Sequence, residues 1–170
     1  TVKAIVTRRN AVGTPIQNVV IANDGQRLWD ESIRTRETGL QEATTEEIVE
    51  VIRQAGISGL GGATFPTYAK IQSAVGKAEA VIVNCAECEP YLTANHRLLL
   101  ERGEIVLSGM EVVMHALGVK TGILAVEDNK PDCISLLKQM TKNDPQITVK
   151  ALKTKYPQGA ERQLIYATTG

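Results

Sequence analysis

The first stretch of the chain has the two-residue period of a β-strand. Val2, Ala4 and Val6 recur at every second position, and a second apolar run at residues 19–21 follows a turn-prone segment. This pattern predicts a β-hairpin that ends at the turn residues 23–25. A hairpin alone buries little apolar surface, so we expect it to be a remnant of a β domain whose other strands lie upstream.

A polar stretch follows the hairpin. Residues 26–43 carry scattered charges and few apolar positions, a composition typical of a linker or surface loop. We therefore expect a domain boundary near residue 40. Residues 1–40 form the hairpin remnant and linker, and residues 41–170 form an incomplete α/β domain.

Helical and β patterns alternate beyond the boundary. Thr44 and Glu47 have the spacing of a capping box, and they open a helix that Gly56 ends. Further helices are predicted at about 67–75, 94–117, 131–140 and 159–167, and strands at 80–84, 122–126 and 147–152. The apolar stripe of the longest helix is expected at Leu98, Ile105, Met110, Val113 and Leu117. This alternation favours an α/β fold, with a parallel sheet that carries helices on both faces.

Composition narrows the function classes. The 170 residues are 43% hydrophobic and 22% charged, as in folded globular proteins. Lys and Arg number 19 against 19 Asp and Glu, so no net positive charge attracts nucleic acid. The apolar runs are far shorter than the ~20 residues of a membrane-spanning helix. The three cysteines argue against a disulfide framework, and the chain opens without Met or a signal peptide, so we expect part of a longer polypeptide.

The glycine-rich segment GISGLGGATFPT, residues 56–67, is the strongest candidate for a ligand-binding loop. Glycines let backbone N–H groups approach a phosphate or a flat ring, and the next helix presents its positive N-terminal end. Pro66 stiffens the loop, and Lys70 adds a positive charge. The loop follows a helix and has Thr64 where a dinucleotide fingerprint has its last glycine, and no P-loop lysine is present. The alternative is an ordinary turn.

Two more candidate segments follow strands. Residues 84–90, NCAECEP, stand at the carboxyl end of the first strand of the parallel sheet, where such sheets bind ligands. Asn84 can hydrogen-bond a ring edge or a hydroxyl, and Glu87 and Glu89 can accept bonds from ribose hydroxyls. Residues 155–163, KYPQGAERQ, follow the last strand, with Glu161 in a first helical turn. An ordinary helix cap is the alternative reading of that segment.

Cys85 and Cys88 form a CxxC, which raises the possibility of zinc or of a redox dithiol. The other candidate ligands are Cys133, His96 and His115. None of them has paired spacing, and Pro90 indicates that the CxxC lies in a turn. We therefore expect packed thiols, structural histidines and no metal site.

Four motifs in this order, GISGLGGATFPTYAK, NCAECEPYLTANHRLL, EDNKP and KYPQGAERQLI, closely resemble the RnfC subunit of the Rnf electron-transport complex. The resemblance runs over about residues 45–170, and the hairpin is similar to the end of the β domain that precedes this region in RnfC. The motifs resemble more loosely the flavin-bearing NADH-oxidising subunit of respiratory complex I. The resemblance implies an FMN site at which NADH is oxidised, with onward transfer of electrons to 4Fe-4S clusters.

The resemblance also implies site residues. The cofactor-binding residues are Gly59, Gly61, Gly62, Lys70, Asn84, Tyr156 and Gly159. The residues on the NADH side are Phe65, Glu89 and Glu161. No catalytic side chain is implied, because hydride transfer is the chemistry of the cofactor. Leu60, Ala86 and Ala160 stand where the complex I family carries Arg, Asp and Glu, which removes polar contacts around the flavin.

Partners and location follow from the same resemblance. RnfC holds its 4Fe-4S clusters with cysteine runs in its C-terminal part, and three cysteines cannot supply the usual four thiolates. The clusters are therefore expected outside this chain. The implied partners are the other subunits of a membrane-bound, ion-translocating complex, with this protein peripheral on the cytoplasmic side of the cell inner membrane. Two alternatives stay open: a related flavoprotein that feeds another reductase, and a non-catalytic remnant that binds nucleotide or a partner.

Overall fold

The computed structural model describes residues 1–26, 28, 39–60 and 64–170. The chain divides into two compact units, Thr1–Glu37 and Thr38–Gly170. Most of the predicted linker, along with Gly61 and Gly62 of the glycine-rich loop, lies outside the described residues. None of the described helices is long and apolar enough to cross a membrane.

The first unit contains the predicted hairpin. Strands β1 (Val2–Arg9) and β2 (Pro15–Ile21) pair antiparallel. At the turn, the Asn10 Oδ1 atom accepts hydrogen bonds from the backbone N–H groups of Val12 and Thr14, at 3.1 and 2.9 Å. The side-chain amide thus closes the turn by the local bonding that favours Asn at such positions.

The second unit is the predicted α/β fold. The sheet consists of β3 (Val81–Asn84), β4 (Gly122–Glu127) and β5 (Ile147–Leu152), all parallel, with β4 in the centre. The helices are α1 (Thr45–Gln54), α2 (Thr67–Ala74), α3 (Ala94–Leu117), α4 (Pro131–Met140) and α5 (Glu161–Thr169), with a short 3₁₀ turn at Leu40–Glu42. These bounds confirm the predicted order of helices and strands.

The two faces of β4 pack against different helices, which confirms the prediction of helices on both faces. Leu124 and Val126 are fully buried in a core shared with α3 and α4. Ala125 points to the opposite face and packs with Leu152 of β5 and Leu164 of α5. Alternate residues of a strand face opposite ways, so a central strand covered on both faces is apolar throughout.

Helix α1 begins as the capping-box spacing predicts. The Thr44 side chain accepts from Glu47 N at 3.2 Å, and the Glu47 carboxylate accepts from Thr44 N at 2.9 Å. The buried face of α1 packs with Ile71 of α2 and Ala116 of α3. Helices α1 and α2 therefore rest on α3, and the glycine-rich loop connects them.

The stripe predicted for α3 is partly wrong. Leu98 and Ile105 are 46% and 62% exposed, and Leu99 is buried instead. Arg102 has non-helical angles, φ −140° and ψ 27°, so two helical segments meet there with a changed direction. A single 3.6-residue period does not extend across such a break. The next residue, Gly103, is buried against Met140, where an added Cβ would lie 3.2 Å from the Met140 Sδ atom.

Candidate functional site

A cleft of about 400 Å³ opens at the carboxyl edge of the sheet. Its walls come from the residues after β3, β4 and β5 and from the start of α3. The lining residues are Glu87 to Thr93, His96, Glu127, Asn129, Lys130 and Thr154 to Tyr156. A larger cavity of about 520 Å³ is lined by Gly118 to Lys120 and Gln146, at the amino ends of the strands. Parallel sheets bind ligands at the carboxyl edge, and the cleft there contains several of the predicted site residues.

The second and third predicted motifs meet at this edge. The Asn84 Nδ2 atom, at the end of β3, donates to the Gly159 carbonyl at 2.8 Å, and Asn84 Oδ1 accepts from Ala86 N at 3.2 Å. A Cβ added at Gly159 would lie 3.4 Å from the Ala86 carbonyl and 3.6 Å from Asn84 Nδ2. Glycine therefore lets the two backbone segments approach closely. Asn84 joins them into one wall.

Beneath the cleft lies a buried polar network that centres on Glu127, the last residue of β4. The Glu127 side chain is 1% exposed, and its Oε2 atom accepts from Lys130 Nζ and from Glu87 N, both at 3.1 Å. The Glu87 carboxylate in turn accepts from the backbone N–H groups of Asn95 and His96, at 2.7 and 3.3 Å. Glu87 thus caps α3, where a carboxylate compensates the positive end of the helix.

Two buried oxygens near this edge have no protein partner among the described residues. Glu127 Oε1 and Gln158 Oε1 are buried without a hydrogen bond. Buried oxygens of this kind usually bind water or ligand, because an unpaired polar group in the interior is costly. No role was predicted for Glu127 and Lys130 from the sequence. The available signal was a pair of charged residues directly after the wholly apolar run of β4.

The rim of the cleft is aromatic and acidic. Glu89 and Tyr156 line it and are exposed, as predicted site residues should be. Tyr91 also lines the cleft, with a fully exposed side chain and φ +66°, a left-handed conformation that is rare outside glycine. Backbone strain of this kind is concentrated at functional sites. Sequence reasoning missed Tyr91.

The glycine-rich loop is closed at its base. Gly59 N donates to the Phe65 carbonyl at 2.9 Å, and Thr67 N donates to the Ile57 carbonyl at 3.0 Å. Phe65 is half exposed, and Lys70 lies exposed on α2. Together with Glu161, which begins α5, these residues are not among those that line the cleft.

The three cysteines are free thiols. Cys85 and Cys133 are buried, whereas Cys88 is partly exposed and lines the cleft. Burial raises the pKa of Cys85 to about 12 and also raises the pKa of Cys133 above its usual value. Both groups are therefore protonated thiols at neutral pH.

Known proteins share this architecture. A solved NAD+-reducing NiFe-hydrogenase in the air-oxidised state is similar with a TM-score of 0.63 and 26% identity, over 71% of this chain and 23% of that chain. A structure of such a hydrogenase in the H2-reduced state gives a TM-score of 0.60 at 24% identity, over 76% of this chain and 25% of that chain. The latter likeness supports the fold alone.

Sequence relatives cover most of this chain. One is the RnfC-type subunit of the Na(+)-translocating ferredoxin:NAD(+) oxidoreductase complex of Acetobacterium woodii, 45% identical over 98% of this chain and 38% of that protein. Another is the corresponding subunit of the ion-translocating oxidoreductase complex of Vibrio cholerae, 42% identical over 89% of this chain and 19% of that protein. The chain thus spans well under half the length of these relatives.

These relatives confirm the resemblance to the RnfC subunit that the four motifs indicate. They support an oxidoreductase subunit that takes part in electron transfer. The profile described as the Nuo51 FMN-binding domain matches residues 52–170, which is most of the chain. The protein therefore belongs to the family of Nuo51 FMN-binding domains.

Proposed function

We propose that this chain forms the FMN site of an RnfC-type subunit in an ion-translocating electron-transfer complex, and that NADH is oxidised there. Electrons then pass to 4Fe-4S clusters held outside this chain. The observation that carries the proposal is the contact of Asn84 Nδ2 with the Gly159 carbonyl at 2.8 Å, which joins two of the predicted motifs beside the cleft. Family membership supports the choice of FMN.

The residues of the cleft fit a flavin in three ways. The close approach at Gly159 leaves a wall of backbone on which a flat ring can lie. The buried oxygens Glu127 Oε1 and Gln158 Oε1 are available to accept hydrogen bonds, directly or through water. Gly59 and the exposed Lys70 provide backbone N–H groups and a positive charge for a phosphate. Gly61 and Gly62 are proposed to act with them.

When bound, FMN supplies the hydride acceptor and can release electrons one at a time. The chain supplies position and charge. Asn84, Tyr156 and Gly159 are proposed to hold the ring against the sheet edge. Phe65 is proposed to stack on the nicotinamide nucleotide, and Glu89 and Glu161 to accept hydrogen bonds from its hydroxyl or amide groups.

The direct test is a fluorescence titration of FMN with the purified chain, followed by anaerobic addition of NADH. We expect saturable quenching of the flavin fluorescence and then bleaching of the flavin absorbance. Lys70→Ala should weaken FMN binding by about 10- to 100-fold, the value of a charged hydrogen bond to phosphate. Lys138→Ala is the matched control, because Lys138 is an exposed lysine on α4. Equal affinities of the two variants would contradict the assignment of Lys70.

The NADH side requires a separate readout. Phe65→Ala should leave FMN affinity unchanged and raise the NADH concentration needed for half-maximal bleaching. A loss of FMN affinity in this variant would place Phe65 on the flavin instead.

A second candidate function is a non-catalytic module that binds nucleotide or a partner protein. Leu60 favours it, since an almost fully exposed leucine replaces the arginine of the complex I family. A folded chain that binds neither FMN nor NADH would support this candidate. A folded chain that binds FMN and bleaches it with a reductant other than NADH would indicate a related flavoprotein.

A further inference from the structure

Three side chains that commonly bind metals meet where the first turns of α3 and α4 adjoin. His96 is the third residue of α3, and Asp132 and Cys133 are the second and third residues of α4. An imidazole nitrogen, a carboxylate oxygen and the sulfur atom all lie within 4.8 Å of one another. We propose that His96, Asp132 and Cys133 bind one divalent transition-metal ion, with zinc as the natural choice.

The distances are close to those of a coordination sphere. In tetrahedral zinc sites, Zn–N and Zn–O bonds of about 2.0–2.2 Å and Zn–S bonds of about 2.3 Å put ligand atoms roughly 3.3–3.6 Å apart. His96 Nε2 already lies 3.1 and 2.9 Å from the two oxygens of Asp132. The Cys133 sulfur lies 3.6 Å from the His96 carbonyl, so the thiol is on the side of α3. A shift of about 1 Å brings all three ligands into range.

Charge also favours a dication here. A thiolate and a carboxylate with a neutral imidazole balance two positive charges, so the loaded site is neutral where Cys133 is fully buried. The positive ends of two helices favour the anionic ligands. The side chains of His96 and Asp132 are 26% and 51% exposed, which gives the ion a path from solvent and a place for a water ligand. The metal replaces the proton of the Cys133 thiol on binding.

The ligands are held by other groups. His96 N donates to the Glu87 carboxylate at 3.3 Å, which fixes the first turn of α3. Cys133 N donates to Asp132 Oδ1 at 2.8 Å and leaves Asp132 Oδ2 free to turn from His96 to a metal. Outer contacts of this kind orient metal ligands. The proposal departs from the expectation of no metal site because that expectation considered sequence spacing, and His96 and Cys133 lie 37 positions apart.

The test is a titration of the metal-stripped, reduced full chain with Co²⁺, followed by Zn²⁺. We expect one Co²⁺ per chain, a near-ultraviolet charge-transfer band from the thiolate, and visible bands of four-coordinate cobalt that Zn²⁺ abolishes. Cys133→Ser should remove the charge-transfer band, and His96→Gln and Asp132→Asn should each weaken binding by at least roughly tenfold. None of these readouts depends on flavin or on NADH.

Controls come from the other thiol and the other imidazole. Cys88→Ser and His115→Gln should leave the spectrum and the affinity unchanged, because neither residue belongs to the cluster. Absence of stoichiometric Co²⁺ binding, or a charge-transfer band that persists in Cys133→Ser, would overturn the proposal, as would a band lost in Cys88→Ser. If Cys133→Ser fails to fold, Asp132→Asn decides, since its side chain is half exposed and unchanged affinity there refutes the site.

Discussion

Removing the positive partner of the buried Glu127 carboxylate should destabilise the fold strongly. In Lys130→Met, the methionine keeps most of the volume of the lysine stem but leaves Glu127, 1% exposed, with only the N–H of Glu87 on its Oε2 atom. Breaking a buried ion pair by removing one partner costs about 3–5 kcal/mol, because a charge remains in the interior. A domain of this size has only about 5–15 kcal/mol to lose. The melting temperature should fall by about 6–20 °C.

The chain offers a matched control on its surface. Arg53 and Glu50 form an ion pair with the same three-residue spacing on α1, and their side chains are 54% and 46% exposed. Arg53→Met should leave the melting temperature almost unchanged, because solvent screens an exposed pair and hydrates the remaining carboxylate. Urea unfolding of both variants, followed by circular dichroism, measures the contrast.

The double variant Glu127→Gln/Lys130→Met completes the test. Removing both charges should restore much of the stability lost in Lys130→Met, although Glu87 N then donates to an amide oxygen. A loss below about 1 kcal/mol in Lys130→Met, equal to the loss in Arg53→Met, would refute the reasoning. A double variant less stable than Lys130→Met would show that Glu127 contributes mainly through the N–H of Glu87.

Three further outcomes are expected. Gly122→Ala should lose about 1–3 kcal/mol in urea unfolding, because its Cβ would lie 2.3 Å from a methionine of α3, whereas Gly109→Ala, with open space around it, should not be destabilised. Tyr91→Gly should be more stable than Tyr91→Ala by about 1–2 kcal/mol, since φ +66° suits glycine, and equal stabilities would exclude strain there. The Thr154 hydroxyl and N–H lower the pKa of Asp128, so this bond stabilises the fold above the usual carboxyl pKa and is lost as acid protonates Asp128. Thr154→Val should therefore lower stability at neutral pH, with a difference from wild type that shrinks below about pH 4, and a pH-independent difference would contradict the assignment.

The sequence predicted the framework because local rules and tertiary packing agree there. The capping box of Thr44 and Glu47, the proline at the start of α4 and the apolar run of β4 each mark an element boundary that the structure confirms. Helix α3 is different. Its break at Arg102 lies beside Gly103, which allows α4 to approach closely. A period-based stripe assumes a straight helix, so it assigned Leu98 and Ile105 to the wrong face.

The candidate site could be predicted only in part, for a physical reason. Short motifs with glycines and carboxylates point to ligand chemistry, and they identified Asn84 and Gly159 before any contact was known. The role of a buried charge depends on partners distant in sequence. Glu87 was expected to be a ligand-binding carboxylate, yet its oxygens accept from the N-terminus of α3. Glu127 reaches Glu87 N across 40 positions, a pairing that no local pattern encodes.

This network gives the cleft a rigid floor. Glu127 is anchored by Lys130 at the start of α4, Glu87 by the start of α3, and the N–H of Glu87 joins the two. These bonds fix the turn that carries Glu89 and Tyr91 to the rim. The buried side-chain atoms that lack a partner in the described part of the chain are both acceptor oxygens, Glu127 Oε1 and Gln158 Oε1. The floor therefore favours ligand groups that donate hydrogen bonds, as a ring N–H or a hydroxyl does, and phosphate groups must bind elsewhere, where the glycine-rich loop and Lys70 offer donors.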